Sequence, residues 1–238
     1  MAWEALLAVS LISLLPAGLA AVTVSGRVSV TGGSKKAGHS PAVVWLTSLS
    51  DPPAPMPSPD APPSTYRLVQ KNKEFRPHLL IIPAGAMVEF PNQDPFFHNV
   101  FSLFDGKRFD LGLYEAGSTR SIKFSRPGIS YIFCNIHPEM SAVIIALNTP
   151  YYGVSNSAGE ISIANVPPGR YRLEVWREGT LSEQLAKFGR EITVSQDVSS
   201  FGTLHFDDSG RSILAHKNKY GRDYDSTTSR NPLYDNPR

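Results

Sequence analysis

One cysteine stands in 238 residues, so the chain holds no intramolecular disulfide. Charge of neither sign prevails, with 23 Lys and Arg against 21 Asp and Glu and a formal net charge of +2, which gives no basic footprint for nucleic acid and no strongly acidic partner. Helical periodicity is nearly missing. No window of about 11 or more residues sustains an apolar period of 3.6 except Leu181–Phe188, which excludes a helical bundle. Histidines on alternate residues are absent, so clusters that need an H-x-H pair lack ligands, and a single thiol excludes a binuclear thiolate-bridged centre. Glu160, Glu174, Glu178 and Glu183 make no acid–base pair, and no Ser/His/Asp arrangement stands in a plausible context, so the chain reads as a non-enzyme.

Long apolar runs are also missing, with one exception at the N-terminus. Ala5–Leu15 is apolar, Pro16 breaks it, and small residues follow at Gly18, Ala20 and Ala21, the layout of a secretory signal peptide over residues 1–21. Glu4 replaces the usual positive flank, and an uncleaved anchor is the rival reading. A span needs about 20 apolar residues, and this run is shorter and interrupted. The expectation is export to the periplasm. Exported proteins use structural cysteine in pairs, so Cys134 needs another reason to be there.

Beyond the leader the chain reads as short strands separated by Gly, Pro and Asn turns, an all-β pattern. Residues 22–65 hold the alternating VTVSGRVSV, the more apolar AVVWL, and a Pro-rich loop, DPPAPMPSPDAPP, that cannot pair in a sheet. Residues 66–148 carry YRLVQKNKEF, HLLIIPAGAMVEFPN, HNVFSLF, SIKF, ISYIFC and SAVIIAL as successive strand signals. Residues 149–206 repeat the alternation in EISIANVPPGRYRLEVW, EITVS and GTLHF. The tail, 207–238, is polar and aperiodic, and its expected state is extended or disordered. Its N-P-L-Y motif has no role in an exported chain.

Cys134 lies in FCNIHPEM, between ISYIFC and SAVIIAL, with His137 and Met140 at spacing C-x2-H-x2-M. A tight loop between two strands can turn all three side chains onto one centre. His98, in NQDPFFHNVFS at the mouth of an earlier strand, is the natural fourth residue. A thiolate, two imidazoles and a weak thioether form the His2Cys site with a long axial Met that binds copper for electron transfer. Structural zinc sites seldom use methionine. The remaining histidines, His39, His78, His205 and His216, lack metal spacing and read as surface or ordinary hydrogen-bonding residues.

FPNQDPFFHNVF followed by GSTRSIKFSRPGISYIFCNIHPEM resembles the copper-site half of the cupredoxins, the plastocyanin and amicyanin group. The resemblance covers about Tyr66–Leu147 and implies a Greek-key β-sandwich. It also implies His98, Cys134, His137 and Met140 as ligands of one type 1 copper ion cycling between Cu(I) and Cu(II), and Asn99 as the residue that ties the two ligand loops together. Three positions depart from the family pattern: Ile136 where Pro commonly precedes the second His, Phe97 where Pro often precedes the first, and Glu139 where amicyanin-like loops carry an aromatic.

NSAGEISIANVPPGRYRLEVW resembles the carboxypeptidase regulatory-like, transthyretin-like β-sandwich, with Asn156, Gly159, Pro168, Gly169 and Tyr171 at matching places. Val24–Leu46 resembles the first half of the same sandwich. Two arrangements stay open at this point: the copper domain inserted into the second sandwich, or the first strands belonging to the copper domain. Together the parts resemble exported proteins labelled plastocyanin-like or methylamine-utilisation proteins. These resemblances imply a periplasmic blue copper protein, monomeric, carrying single electrons between transient redox protein partners, with no small-molecule substrate and no nucleic acid. Copper binding and delivery, or an interaction module with structural copper, are the alternatives. The electron path expected is the exposed edge of His137, rimmed by Phe96, Phe97, Ile136 and Pro138.

Overall fold

VTVSGRVSVT places valines on alternate residues, which in an extended chain puts them on one face, and it folds as β1 (Val22–Thr31) with Val24 and Val28 buried. AVVWLTS follows as β2 (Ala42–Ser48). The computed structural model describes residues 21–32, 40–50, 65–103, 106–208 and 217–224. The leader up to residue 20, His39, the Pro-rich loop, His216 and the N-P-L-Y motif lie outside the described residues.

The chain next builds a complete sandwich. One layer orders β10 (Thr119–Lys123), β7 (Met87–Pro91) and β3 (Tyr66–Arg67); the facing layer orders β6 (Leu79–Pro83), β12 (Ser141–Leu147), β11 (Gly128–Phe133), β8 (His98–Ser102) and β9 (Phe109–Tyr114). A hairpin of β4 (Val69–Lys71) and β5 (Glu74–Arg76) sits at its margin. Leu68, Val88, Phe90, Val100, Tyr114, Phe124, Ile132 and Ile144 fill the space between the layers.

Then β13 (Tyr152–Val154), β14 (Glu160–Val166), β15 (Gly169–Arg177), the short helix α1 (Ser182–Ala186), β16 (Arg190–Val194) and β17 (Ser200–Asp207) return to the first two strands. β1 pairs antiparallel with β14 and parallel with β17, while β2 pairs antiparallel with β13 and β15. Residues 22–48 and 152–207 therefore form one sandwich, and the chain leaves it after β2 and re-enters it at β13. Thr149 fastens the re-entry, its hydroxyl donating to the Leu46 carbonyl (2.7 Å) while accepting from the Tyr151 N–H (3.2 Å). Tyr171 of the PPGRY turn donates to the Pro167 carbonyl (2.8 Å), and Asn156 Oδ1 accepts from the N–H groups of Ala158 and Glu160. Gly159, at φ 78°, abuts the Val28 carbonyl so closely that a Cβ there would collide with it.

The two sandwiches stack back to back, which explains the unbroken apolar run SAVIIAL. Along β12, Ala142, Ile144 and Ala146 face the first sandwich's own interior, whereas Val143, Ile145 and Leu147 face β2 and β15 and pack against Val43 and Trp176. A strand buried on both faces has no polar positions to spare. The Trp176 indole N–H donates to the Tyr131 hydroxyl across this junction (3.2 Å), and His78 lies 2.9 Å from the Glu178 carboxylate. The expected helix near Leu181–Phe188 forms as the five-residue α1. Among the described residues no helix is long and apolar enough to cross a membrane.

Candidate metal centre

The loop before β8 is shaped by Asn92. Its Oδ1 accepts from the Asp94 N–H (3.0 Å), an Asx turn, and its amide donates to the carbonyls of Phe96 (2.8 Å) and Tyr114 (3.3 Å). This delivers His98 to the start of β8 with no solvent exposure. The other loop joins β11 to β12. The Cys134 N–H donates to the Met140 carbonyl (3.3 Å) and the Met140 N–H to the His137 carbonyl (3.1 Å), closing a compact turn whose register β11–β12 pairing sets.

These two loops bring three of the expected residues to one point. Cys134 Sγ lies 3.8 Å from His98 Nδ1 and 3.6 Å from His137 Nδ1, and the two ring nitrogens are 3.1 Å apart. Those three separations define a point in their plane about 2.0 Å from each atom, close to the bond lengths by which nitrogen and sulfur ligands hold a transition-metal ion. All three side chains are buried. Met140 is fully buried too, in the same apolar cluster as Cys134, with its main chain bonded to both neighbouring loop residues. The donors fit copper in type and in span.

Protonation follows from the surroundings. Burial pushes the Cys134 thiol up, opposed by the N–H groups of Asn99, Ile136 and His137 directed at the sulfur. A metal cation would replace the proton, since the thiolate is the ligand form. Burial also pushes His98 down, against the pull of Asp94, so the ring is neutral at neutral pH. Asp94 Oδ2 lies 2.7 Å from His98 Nε2. A carboxylate only accepts, so Nε2 carries the ring proton and Nδ1 presents a lone pair to the centre. Burial would raise the Asp94 carboxyl, but Lys73 N–H, His98 and Asn72 N–H together hold it below the ordinary value. Asn72 and Lys73 are the left-handed tip residues of the β4–β5 hairpin (φ 58° and 57°), and their N–H groups reach Asp94 at 2.6 and 3.0 Å.

The Asn99 N–H faces the Cys134 sulfur, and its side-chain amide donates to Asp110 Oδ1 (2.7 Å) on β9. The expected rim needs correction. Phe97 and Pro138 are exposed and Ile136 is partly so, but Phe96 is only 9% exposed, its ring packed against His98 (5.2 Å) and His137 (5.7 Å). His137 itself is 4% exposed, so no broad imidazole edge reaches solvent. His78 and His205 are exposed and stand outside the cluster, His78 bonding the Ser141 carbonyl (3.1 Å). Asp94 carries no metal spacing of its own and is not among the residues expected from sequence, although it stands just before His98 in NQDPFFH.

Fold and site together define an all-β protein with a buried His–Cys–His cluster at one end of its inserted sandwich. No protein-family model matches the chain, and no curated protein matches it. Solved structures similar to part of it include a purple cupredoxin from Nitrosopumilus maritimus, 21% identical over 34% of this chain and 99% of the other, with a TM-score of 0.32. An amicyanin from Paracoccus versutus is 23% identical over 37% of this chain and 86% of the other, with a TM-score of 0.33. A copper-containing nitrite reductase from Thermus scotoductus SA-01 is 20% identical over 51% of this chain and 28% of the other, with a TM-score of 0.34.

Proposed function

We propose that this chain is an exported, monomeric copper protein of the cupredoxin type that carries single electrons in the periplasm between transient redox protein partners. The observation that carries this reading is the buried triangle of Cys134 Sγ, His98 Nδ1 and His137 Nδ1, with sides of 3.1, 3.6 and 3.8 Å. Met140 supplies the weak fourth ligand. Copper, when bound, supplies a one-electron couple tuned by thiolate and thioether ligation.

The chain's own residues do the rest. Asp94 fixes the His98 tautomer, three N–H groups support the sulfur charge, and apolar packing around Phe96 excludes water. Two strand pairs of one layer, β8–β9 and β11–β12, hold both loops, so the ligand positions would change little between oxidation states. The exposed apolar surface of Phe97, next to His98 in the chain, and Pro138, next to His137, is the docking patch, small enough for brief contacts. We read the chain as a carrier, not an enzyme.

Adding Cu(II) to the purified protein lacking residues 1–21 tests the reading. An intense visible thiolate-to-copper band is expected, absent in Cys134→Ser. Lack of the band in wild type, or its persistence in Cys134→Ser, overturns it.

A further inference from the structure

We infer that residues 217–224, in a tail expected to be extended, form a strap that belongs to the metal centre, with Lys219 and Tyr224 as positioning residues for the Cys134 loop. This rests on the copper reading for the identity of the ion, but the contacts stand independently of it. The strap is a turn organised by Asn218, whose Oδ1 accepts from the N–H groups of Tyr220 (3.0 Å) and Arg222 (3.1 Å) while its own N–H donates to the Arg222 carbonyl (2.9 Å). Lys217 bridges to Asp223 across the same turn (2.8 Å).

The formed turn grips the metal loop at two places. The Lys219 N–H donates to Asn135 Oδ1 (3.0 Å), and the Tyr224 hydroxyl donates to the main-chain carbonyl of Cys134 itself (2.8 Å). Lys219 Nζ reaches Asp110 Oδ2 (2.7 Å), the carboxylate whose other oxygen holds the Asn99 amide. Since the Asn99 N–H faces the Cys134 sulfur, the contacts close a ring: Cys134, Asn99, Asp110, Lys219, Asn135 and back to Cys134. Each member is bonded on both sides, so the ring clamps the cysteine loop to β8 and β9. Tyr224 is half-buried, and a phenol keeps its proton at physiological pH, so the hydroxyl is a donor.

A clamp of this kind governs how readily the loop opens, and therefore how fast a reagent reaches the thiol and how fast an ion leaves. Closed, it keeps a positively polarised hydroxyl on the cysteine carbonyl, which favours the more electron-rich, reduced state of the centre. No other described segment bonds to the Cys134 carbonyl or the Asn135 side chain from outside the first sandwich.

The test compares full-length wild type, Tyr224→Phe, the double variant Lys219→Met/Tyr224→Phe, and Tyr171→Phe, which loses a hydroxyl of the same kind in the other sandwich. Two rates are read: modification of Cys134 by a thiol-specific disulfide reagent in metal-free protein, and loss of the visible band when copper-loaded protein meets a chelator. With near-UV circular dichroism unchanged, the double variant is expected to be faster by about fivefold or more in both, with Tyr224→Phe in between and Tyr171→Phe at the wild-type rate. The midpoint potential of Tyr224→Phe is expected to fall. Thiol modification rates of the double variant equal to wild type overturn the strap even if the band is present. Faster thiol modification with no band in any protein leaves the strap standing and removes the copper reading.

Discussion

Replacing Asp94 should separate the two jobs of its carboxylate. The side chain accepts from three donors, the N–H groups of Asn72 (2.6 Å) and Lys73 (3.0 Å) and His98 Nε2 (2.7 Å), and it is buried. Hydrogen bonds to a charged acceptor are each worth about 1.5–3 kcal/mol, and their loss here leaves buried donors unsatisfied; part of the cost returns because the hairpin tip can turn toward water. Asp94→Ala should therefore lower the stability of metal-free protein by about 3 kcal/mol, read by urea unfolding followed by fluorescence. Asp94→Asn keeps one accepting oxygen for the hairpin and should lose about 1–2 kcal/mol. Toward the metal the order differs. An amide whose NH2 faces His98 favours the tautomer with Nε2 as acceptor and the proton on Nδ1, pointing into the centre, so Asp94→Asn should weaken copper binding by about 10–100-fold, read by competition with a chelator of known affinity. Asp94→Asn with wild-type copper affinity would falsify the tautomer argument, whatever its stability.

Three further outcomes are expected from the layers. Ile144→Ala, in the interior of the first sandwich, should cost about 2–5 kcal/mol by urea unfolding, because a fully buried strand position cannot collapse around the void; a loss below about 1 kcal/mol contradicts the packing. Asp208 forms a two-pronged pair with the buried guanidinium of Arg177 (2.7 and 2.8 Å), and Asp208→Ala, which strands that cation, should cost about 3–5 kcal/mol, whereas a neutral result means the guanidinium finds water. The Glu178 carboxylate bonds His78 and, over the opposing cost of burial, raises it above its ordinary value, so the pair stabilises below about pH 6.5 and is lost as pH rises through the folded-state value. The stability gap between wild type and His78→Gln should be under about 1 kcal/mol near pH 5.5 and vanish near pH 9; a gap that widens with pH contradicts this.

Much of the centre was legible because its chemistry is local. Cys134, His137 and Met140 share one turn between two neighbouring strands, and spacing alone brings them close; His98 was found from the residues around it. Asp94 could have been found the same way, as an acid inside an Asx turn just before a histidine. Strands were legible from alternation, but not their partners: VTVSGRVSVT announces one buried face and says nothing of whether it joins β17, about as far along the chain as pairing can reach. SAVIIAL looked like any buried strand, and only the stacking shows that its alternate residues serve two different interiors. Lys219 and Tyr224 left no signal. Their bonds span 84, 90 and 109 residues and come from a segment with no period, where each contact is a single polar group meeting a single oxygen. Phe96 and Phe97 were indistinguishable in sequence, and the Asn92 turn decides which is packed and which is bare.

The insertion has a consequence for the order in which the molecule can be assembled. β3 to β12 run without interruption, so everything that the metal sandwich's layers need has emerged by residue 147 as the chain is made. β1 and β2, made earlier, must wait, because their partners β13 to β17 are not yet present. The outer sandwich then closes loops longer than a hundred residues, a step whose entropy cost is reduced because most of that length is already folded into the finished inner sandwich. The strap comes after every strand, so the thiol stays least guarded until the last of these pieces is in place.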